Sequence, residues 1–316
     1  THRNTLKDST MKFLTNQQIS ELLTTEDAIA SMREAFATAA QGAHQGRVRT
    51  SASNGVMLSM MGAVIPAAGI AGAKVYTTIK GQFKFVIQLF STETGAPLCT
   101  IEGDTMTGLR TAAATAVACD ALARPDVEVL SVIGTGVQAR SHIPALLQVR
   151  KFKEVLVAGL SGQEALADDI TRTLGVPARA VTIDEAAAQA DVLVTVTRAS
   201  TPLFDGKLLR PGTFVAAVGA SKANVRELDD TAIGRAAALF VEWKPQAQQE
   251  AGDLVQCAPG VFDWAQVMEL AQAVDGSMPY QRKPEDIVIY KAIGIGLEDV
   301  ALAGLAYRRA CAKYGW

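Results

Sequence analysis

Val129-Leu130-Ser131-Val132-Ile133-Gly134-Thr135-Gly136-Val137-Gln138-Ala139 decides the fold of this chain. Its first five residues read as a buried parallel strand that runs into Gly-x-Gly-x-x-Ala and then a helical pattern. Gly134 permits the tight turn, and Gly136 lets backbone approach a pyrophosphate. The small Ala139 lets the helix pack close to the strand. Phosphate would then meet amide N–H groups at the positive end of that helix. Gly-rich strand-to-helix turns also occur as bare structure, so context decides. Here a strand precedes, a helix follows and the alternation continues downstream, which points to a dinucleotide site.

Working outward, strands are expected at 128–133, 154–158, 178–183, 191–196, 213–218 and 238–242. Helices fall between most of them, for instance at 137–149, 162–174 and 184–190. This is a doubly wound, Rossmann-type parallel sheet, placed at 126–286. Upstream, Thr15 is read as the N-cap of a short helix through Leu23, and Thr25 as the cap of a second to about Gln41. Strands are expected at 56–61, 73–79 and 85–90, with a hairpin at Thr94-Gly95 and a return strand at 97–101. A small-residue helix, Thr107 to Ala123, ends before Pro125, which marks the domain boundary. Ile287 to Lys313 reads as one long helical pattern containing Gly294 and Gly296, packing back on the N-terminal part. The expected architecture is α/β: the Rossmann-type domain plus an α+β domain formed by 11–125 and 287–316. Residues 1–10 precede Met11 and read as a leader remnant.

At 316 residues the chain is long enough for about two domains. Apolar residues make up 49% and charged residues 20%, as in a globular protein. A net charge of −2 gives no electrostatic case for nucleic acid or an anionic membrane surface. No uninterrupted apolar run reaches the roughly 18 residues needed to span a bilayer, and the start shows no secretory pattern. The four cysteines, Cys99, Cys119, Cys257 and Cys311, lack CxxC spacing. They suit a reduced, cytoplasmic setting as packing residues. No His/Cys/carboxylate cluster has zinc spacing, so no metal is expected. His2 falls in the leader, His44 in a loop, and His142 one turn into the nucleotide-binding helix, where it is expected to pack on the helix surface.

Two cations carry more information. Arg110, in Thr107-Gly108-Leu109-Arg110-Thr111-Ala112-Ala113, lies near the start of a helix, where the dipole prefers anions. The conflict disappears if Arg110 and the helix share a bound anion such as a carboxylate or pyrophosphate. The plainer alternative pairs it with Glu102 or Asp104. Lys74 sits among apolar strand residues, where burial is costly without an anionic partner; an edge-strand lysine facing water is the alternative. Arg47 and Arg49 read as members of a polar loop. Thr195-Val196-Thr197 and Val218-Gly219-Ala220-Ser221 end successive strands at the carboxyl edge, where ligands bind in such sheets.

These residues together resemble the ornithine cyclodeaminase/mu-crystallin family, over essentially the whole chain from Met11. The resemblance rests on Val48-Arg49-Thr50, Lys74, Leu109 to Ala113, Gly134 to Ala139, Val194 to Thr197, Ala217 to Ser221, and Gly294 with Glu298-Asp299. It implies a homodimer, whose N-terminal domain binds substrate and carries the dimer sheet, and a Rossmann domain for NAD(H) or NADP(H). Carried over by position, Arg49 and Lys74 would hold a substrate carboxylate, with Arg47 the alternative to Arg49. Ile293 would join them in the substrate site. Arg110 would lie between substrate and cofactor. Thr111, Gly134, Gly136, Val137 and Gln138 would contact the cofactor at its pyrophosphate side, and Thr197, Val218 and Gly219 its nicotinamide half.

One departure matters most. Ornithine cyclodeaminases resemble Gly-Gly-Asp where this chain has Gly219-Ala220-Ser221, and that Asp is their proton-transfer group. A Ser hydroxyl is too weak an acid and base to replace it near neutral pH. Oxidative removal of an amine needs such a base. Reduction of a protonated cyclic imine needs chiefly orientation of the carboxylate and the nicotinamide face. Gly-Ala-Ser resembles the mu-crystallin branch, whose activity is ketimine reduction. The implied activity is NAD(P)H-dependent reduction of a cyclic imino acid, Δ1-pyrroline-2-carboxylate or Δ1-piperideine-2-carboxylate, to proline or pipecolate, with Ser221 in the catalytic set. Ornithine cyclodeamination, an alanine dehydrogenase-like reaction and non-catalytic NADPH or small-ligand binding remain as alternatives. At the end of the second nucleotide strand, Val157-Ala158-Gly159-Leu160-Ser161-Gly162 carries no acid before Glu164. The absent acid permits NADPH, with Ser161 as a phosphate contact; NADH is the alternative.

Overall fold

Residues 11–316 are described in a computed structural model; the expected leader, with His2, lies outside them. After strand β1 (Lys12–Leu14), Thr15 caps α1 (Asn16–Leu22) through a capping box with Gln18. The next helix, α2 (Thr25–Ala37), is capped by Thr24 rather than Thr25, because Asp27 reaches back to the Thr24 amide. Strands β2 (Ala43–Ser51), β3 (Met57–Ile65), β4 (Ile70–Ile79), β5 (Gln82–Ser91) and β6 (Pro97–Glu102) follow, then α3 (Asp104–Leu122). The segment bearing His44, Arg47 and Arg49 is therefore a strand, not a loop. Its charged residues had hidden the alternation, yet β2 pairs with β3 across a register shift between Gln45 and Val48.

These strands form a six-stranded sheet in the order β1-β6-β5-β4-β3-β2, antiparallel except for β1 on β6. One face is buried through Met61, Ala63, Ile65, Ile87, Leu89 and Ile101. The opposite face exposes Val48, Leu58, Met60, Val64, Val86 and Phe90.

The second half alternates β7 (Val129–Ile133), α4 (Val137–Val149), β8 (Glu154–Ala158), α5 (Gln163–Leu174), β9 (Ala178–Ala180), α6 (Ile183–Gln189), β10 (Val192–Thr195) and β11 (Phe214–Ala217). It continues with α7 (Asp230–Arg235), β12 (Ala238–Val241), α8 (Lys244–Glu250), α9 (Gly252–Val255), β13 (Met268–Glu269) and α10 (Leu270–Asp275). The chain closes with β14 (Val288–Lys291) and α11 (Gly296–Tyr314). Every pairing in this eight-stranded sheet is parallel, in the order β13-β12-β14-β11-β10-β7-β8-β9. The doubly wound sheet expected from the sequence is present, with the order reversing between β7 and β10.

The tail departs from expectation. Ile287 to Lys313 is not one helix: β14 inserts between β11 and β12, and only α11 returns to the first sheet. An expected boundary at 287 thus cuts through the parallel sheet. The reason is local: Val288-Ile289-Tyr290 is apolar and β-prone, and Gly294 (φ 72°) breaks the chain before α11.

Helix α11 packs on the inner face of β3 and β4 and against α2 and α3. Its start approaches β3 so closely that a Cβ on Gly296 would lie 2.5 Å from the Gly62 carbonyl oxygen. Gly296→Ala is expected to lower stability by about 1–3 kcal/mol through overpacking. Urea unfolding measures this; an unchanged midpoint would contradict so tight an approach.

Candidate active site

Strands β2 and β4 and helix α3 aim cations at the gap between the two sheets, and α8 and α11 supply carboxylates to meet them. Lys74 is buried in the middle of β4, and its Nζ donates to Asp299 Oδ1 (2.9 Å) and Thr107 Oγ1 (3.3 Å). The water-facing alternative for Lys74 is thereby excluded. Burial pushes its ammonium down to about 7, with Arg110 adding to the shift and Asp299 opposing it.

Arg110 lies in the second turn of α3, away from the helix N-terminus. Its guanidinium pairs with Glu298 Oε2 (2.5 Å) and Asp299 Oδ1 (3.0 Å), not with Glu102 or Asp104. Burial opposes its charge, but Asp299, Glu298 and Glu242 outweigh burial and raise its pKa. Glu298 itself is held well above the ordinary carboxylate range, by burial first, with Arg110 opposing and Glu242 and Asp299 reinforcing. Glu242 accepts the amides of Ile293 (2.7 Å) and Gly294 (3.0 Å). One oxygen on each of Glu298 and Asp299 is buried without a hydrogen-bond partner.

Arg47 and Arg49 share Glu250. Arg47 pairs with it at 2.7 Å and donates to the carbonyls of Ile293 (2.8 Å) and Gly294 (2.9 Å), so it is locked in place rather than solvated. Arg49 pairs with the other Glu250 oxygen and donates to the Ser221 carbonyl at 3.2 Å. Its side chain keeps more exposure than that of Arg47, 23% against 5%. The structure therefore brings Arg49, Lys74, Arg110, Ser221 and Ile293 to one place, at the carboxyl ends of β11 and β14.

Beyond β10, Thr197 donates through both its amide and its hydroxyl to Glu227 Oε1 (2.7 Å each). Gly219 donates its amide to Glu227 Oε2 at 2.7 Å. At the end of β7, Gly134 adopts φ 127°, and a Cβ there would sit 2.7 Å from the Val196 carbonyl oxygen. A Cβ on Gly136 would meet nothing within 4 Å, so the backbone at the start of α4 is open to a ligand. Val137 is 75% exposed in that first turn, and Leu160 is 99% exposed past β8. Thr135 Oγ1 donates to the Ser161 carbonyl (2.9 Å), joining the two loops. The open glycine backbone and the helix N-terminal amides fit a dinucleotide pyrophosphate. From β7 to β14 there are three interstrand gaps, about 14 Å, so the cation cluster and the glycine turn lie along one edge.

His142 is buried, bonding Thr115 Oγ1 (3.1 Å) and the Gln138 carbonyl (2.8 Å), and burial lowers its pKa to about 4. It ties α4 to α3 rather than packing on a helix surface. Sequence reasoning missed Glu227, Glu242, Glu250, Asp253 and Lys291 altogether. It quoted Glu298 and Asp299 without giving them a role. For Glu242 and Lys291 the signal was a charged residue closing an apolar strand; Glu227, in a loop, and Glu250, at the end of the polar helix α8, carried none.

A Rossmann-type sheet with its glycine turn at the switch point, and a cation cluster along the same edge, define a nicotinamide-dependent oxidoreductase. The chain belongs to the Ornithine cyclodeaminase/mu-crystallin family, whose model matches residues 9–314. It is 34% identical over 251 residues to a Δ1-pyrroline-2-carboxylate reductase of Bacillus cereus, covering 76% of this chain and 77% of that one. Its fold superposes on a probable ornithine cyclodeaminase from Bordetella pertussis Tohama I with a TM-score of 0.94 and 48% identity, over 97% of this chain and 99% of that one. For the Thermococcus litoralis Δ1-pyrroline-2-carboxylate reductase in complex with NADH and L-proline, the TM-score is 0.91 and the identity 28%, over 96% of this chain and 98% of that one.

If Lys74 receives a ligand carboxylate, binding is expected to depend on pH. The lysine is protonated below about 7 and neutral above, so affinity of the free enzyme for a carboxylate is expected to fall as pH rises through that value. Titration with pyrrole-2-carboxylate at several pH values tests this. Lys74→Met is expected to bind about 10- to 100-fold more weakly at low pH and to lose that pH dependence. A persisting step would assign it to another group.

Proposed function

We propose that the protein reduces a small cyclic imino acid, Δ1-pyrroline-2-carboxylate or Δ1-piperideine-2-carboxylate, to proline or pipecolate, using NADPH with NADH as the alternative. The observation that carries this reading is the convergence of Arg49, Lys74 and Arg110 beside the carboxyl ends of β11 and β14. Four cations (Arg47, Arg49, Lys74, Arg110) face four carboxylates (Glu242, Glu250, Glu298, Asp299) there. Burial holds the Glu298 carboxyl well above the ordinary range, which weakens the negative side of this cluster. A substrate carboxylate would find cations there to pair with.

In this reading Arg49 and Lys74 hold the substrate carboxylate, and Ile293 supplies an apolar wall for the ring. Arg110 fixes the boundary between substrate and cofactor. Thr111, Gly134, Gly136, Val137 and Gln138 receive the pyrophosphate side. Thr197, Val218 and Gly219 place the nicotinamide ring, which supplies the hydride when bound. The imine nitrogen arrives protonated, so the chain's task is orientation and exclusion of water. Ser221 lends its carbonyl to Arg49 and carries no carboxylate. That supports reduction of an imine over removal of an amine, which needs a base. Loss of the acid after β8 supports NADPH, with Ser161 near its 2′-phosphate. The Bacillus and Thermococcus reductases support the same substrate class.

Initial rates with five- and six-membered cyclic imino acids, each with NADH and NADPH, test the proposal directly. Turnover with at least one imino acid is expected, and Arg49→Ala is expected to lower kcat/KM about 10- to 100-fold or more. Ammonia release from ornithine with NAD+, and no imine reduction, would overturn it in favour of cyclodeamination. Tight NADPH binding without any turnover would leave a binding protein. Size selection between the two rings is expected to be modest, since one methylene is worth about 1–3 kcal/mol.

We further infer a homodimer formed through the outer face of the six-stranded sheet. Val48, Leu58, Met60, Val64, Val86 and Phe90 make that face apolar, the kind of surface that marks an interaction site. Sedimentation is expected to give twice the chain mass, and Met60→Glu with Val86→Glu to give monomers. A wild-type monomer would refute the dimer.

A further inference from the structure

Glu227 is fully buried, and its carboxylate accepts four hydrogen bonds, all from uncharged donors. Oε1 takes the Thr197 amide and hydroxyl (2.7 Å each). Oε2 takes the Thr195 hydroxyl (2.8 Å) and the Gly219 amide (2.7 Å). Among the described residues no lysine or arginine pairs with it. A buried anion without a cation is costly, and backbone and hydroxyl donors must compensate. All four donors stand at the carboxyl ends of β10 and β11.

The paired register of those strands ends at Thr195 and Ala217, and the Val218 and Gly219 amides still donate to the Thr195 carbonyl (2.9 and 3.1 Å). Past that carbonyl, Glu227 adds a tie of its own, joining Thr197 to Gly219. There is little slack: a Cβ on Gly219 would lie 2.2 Å from the Thr197 carbonyl oxygen and 2.5 Å from Glu227 Oε1. Glu227 is itself held from behind. Its amide donates to Asp253 Oδ1 (2.6 Å), and Asp253 Oδ2 pairs with Lys291 Nζ (2.9 Å). Lys291 donates in turn to the Ala217 carbonyl (3.1 Å). The path closes from β14 through α9 back to β11.

We propose that Glu227 is a positioning residue for hydride transfer. It fixes the rim formed by Thr197 and Gly219, and through that rim the angle of the nicotinamide ring, while touching neither ring nor substrate. This rests on the reading above that Thr197, Val218 and Gly219 place the nicotinamide. A glutamine at 227 keeps the shape but turns one acceptor into an NH2 group; the facing hydroxyl can rotate to accept from it, but the facing backbone N–H cannot, so that strand end must shift.

The test compares Glu227→Gln with wild type by steady-state kinetics, by ADP-ribose binding and by the emission of bound NADPH. We expect kcat to fall on the order of 100-fold, as for a misplacement of about 1 Å. KM for the imino acid and affinity for ADP-ribose, which lacks the nicotinamide, should stay near wild type. The emission of the bound reduced ring should change in intensity or position. If Glu227→Gln does not fold, Thr195→Val removes one donor alone and should lower kcat in the same direction by less. Wild-type kcat in the folded variants would overturn the proposal. So would a loss of kcat matched by an equal loss of ADP-ribose affinity, with unchanged emission, because that is general damage. The emission comparison needs no substrate. It therefore still decides the role of Glu227 if wild type binds NADPH but reduces no imino acid.

Discussion

Asp299 Oδ1 accepts from Lys74 and Arg110 at once, and the seam where β4, α3 and α11 meet depends on that shared oxygen. Lys74 comes from the middle of β4, Arg110 from α3, and Asp299 from the first turn of α11. All three are buried, so each charge needs the others; removing one partner from such a group usually costs several kcal/mol, about 3–5. The carboxylate near the helix start is also favoured by the α11 dipole. That is why Glu298 and Asp299 occupy the first turn and the cations reach toward it from elsewhere.

This constraint explains the covalent path. The chain leaves the parallel sheet at Lys291, turns at Gly294 and enters α11 against the first sheet. A Cβ on Gly294 would lie 2.6 Å from an Arg110 nitrogen, so the guanidinium packs directly on the turning backbone. The last strand of one sheet and the closing helix on the other are thus separated by four residues, and the charge cluster fills the seam. Glu250, at the end of α8, adds the second tie by holding Arg47 and Arg49 on β2.

Period and turn chemistry made much of the fold readable. Strands β7, β8, β10, β11 and β12 announce themselves as apolar runs, and the glycine turn after β7 has only a few structural uses. The failures have physical causes. In β2, Arg47 and Arg49 are polar because they face a charged interior, so a rule that equates polarity with loops misplaced them. In β14, four residues of strand sat next to a long helical pattern, and periodicity alone does not separate the two. For Arg110 the anion question was sound, but its partners lie nearly two hundred residues away, beyond local reasoning. Lys74 was readable as costly if buried; whether it was buried depended on α11.

Two buried polar networks stand along this edge and do different work. Around Asp299, charges of both signs are packed together, and one oxygen each of Glu298 and Asp299 is left without a hydrogen-bond partner. Around Glu227, a single carboxylate is saturated by fixed neutral donors, so an incoming anion finds nothing to pair with there. The first network suits a ligand that arrives and leaves with its charge, and the second suits a surface that must stay still while chemistry occurs beside it. Both sit at the carboxyl ends of neighbouring strands, β14 with β11 and β11 with β10. In the proposed reading, a ring on the still surface and an acid in the responsive one would lie in adjacent register, which is the spatial requirement for moving a hydride between them.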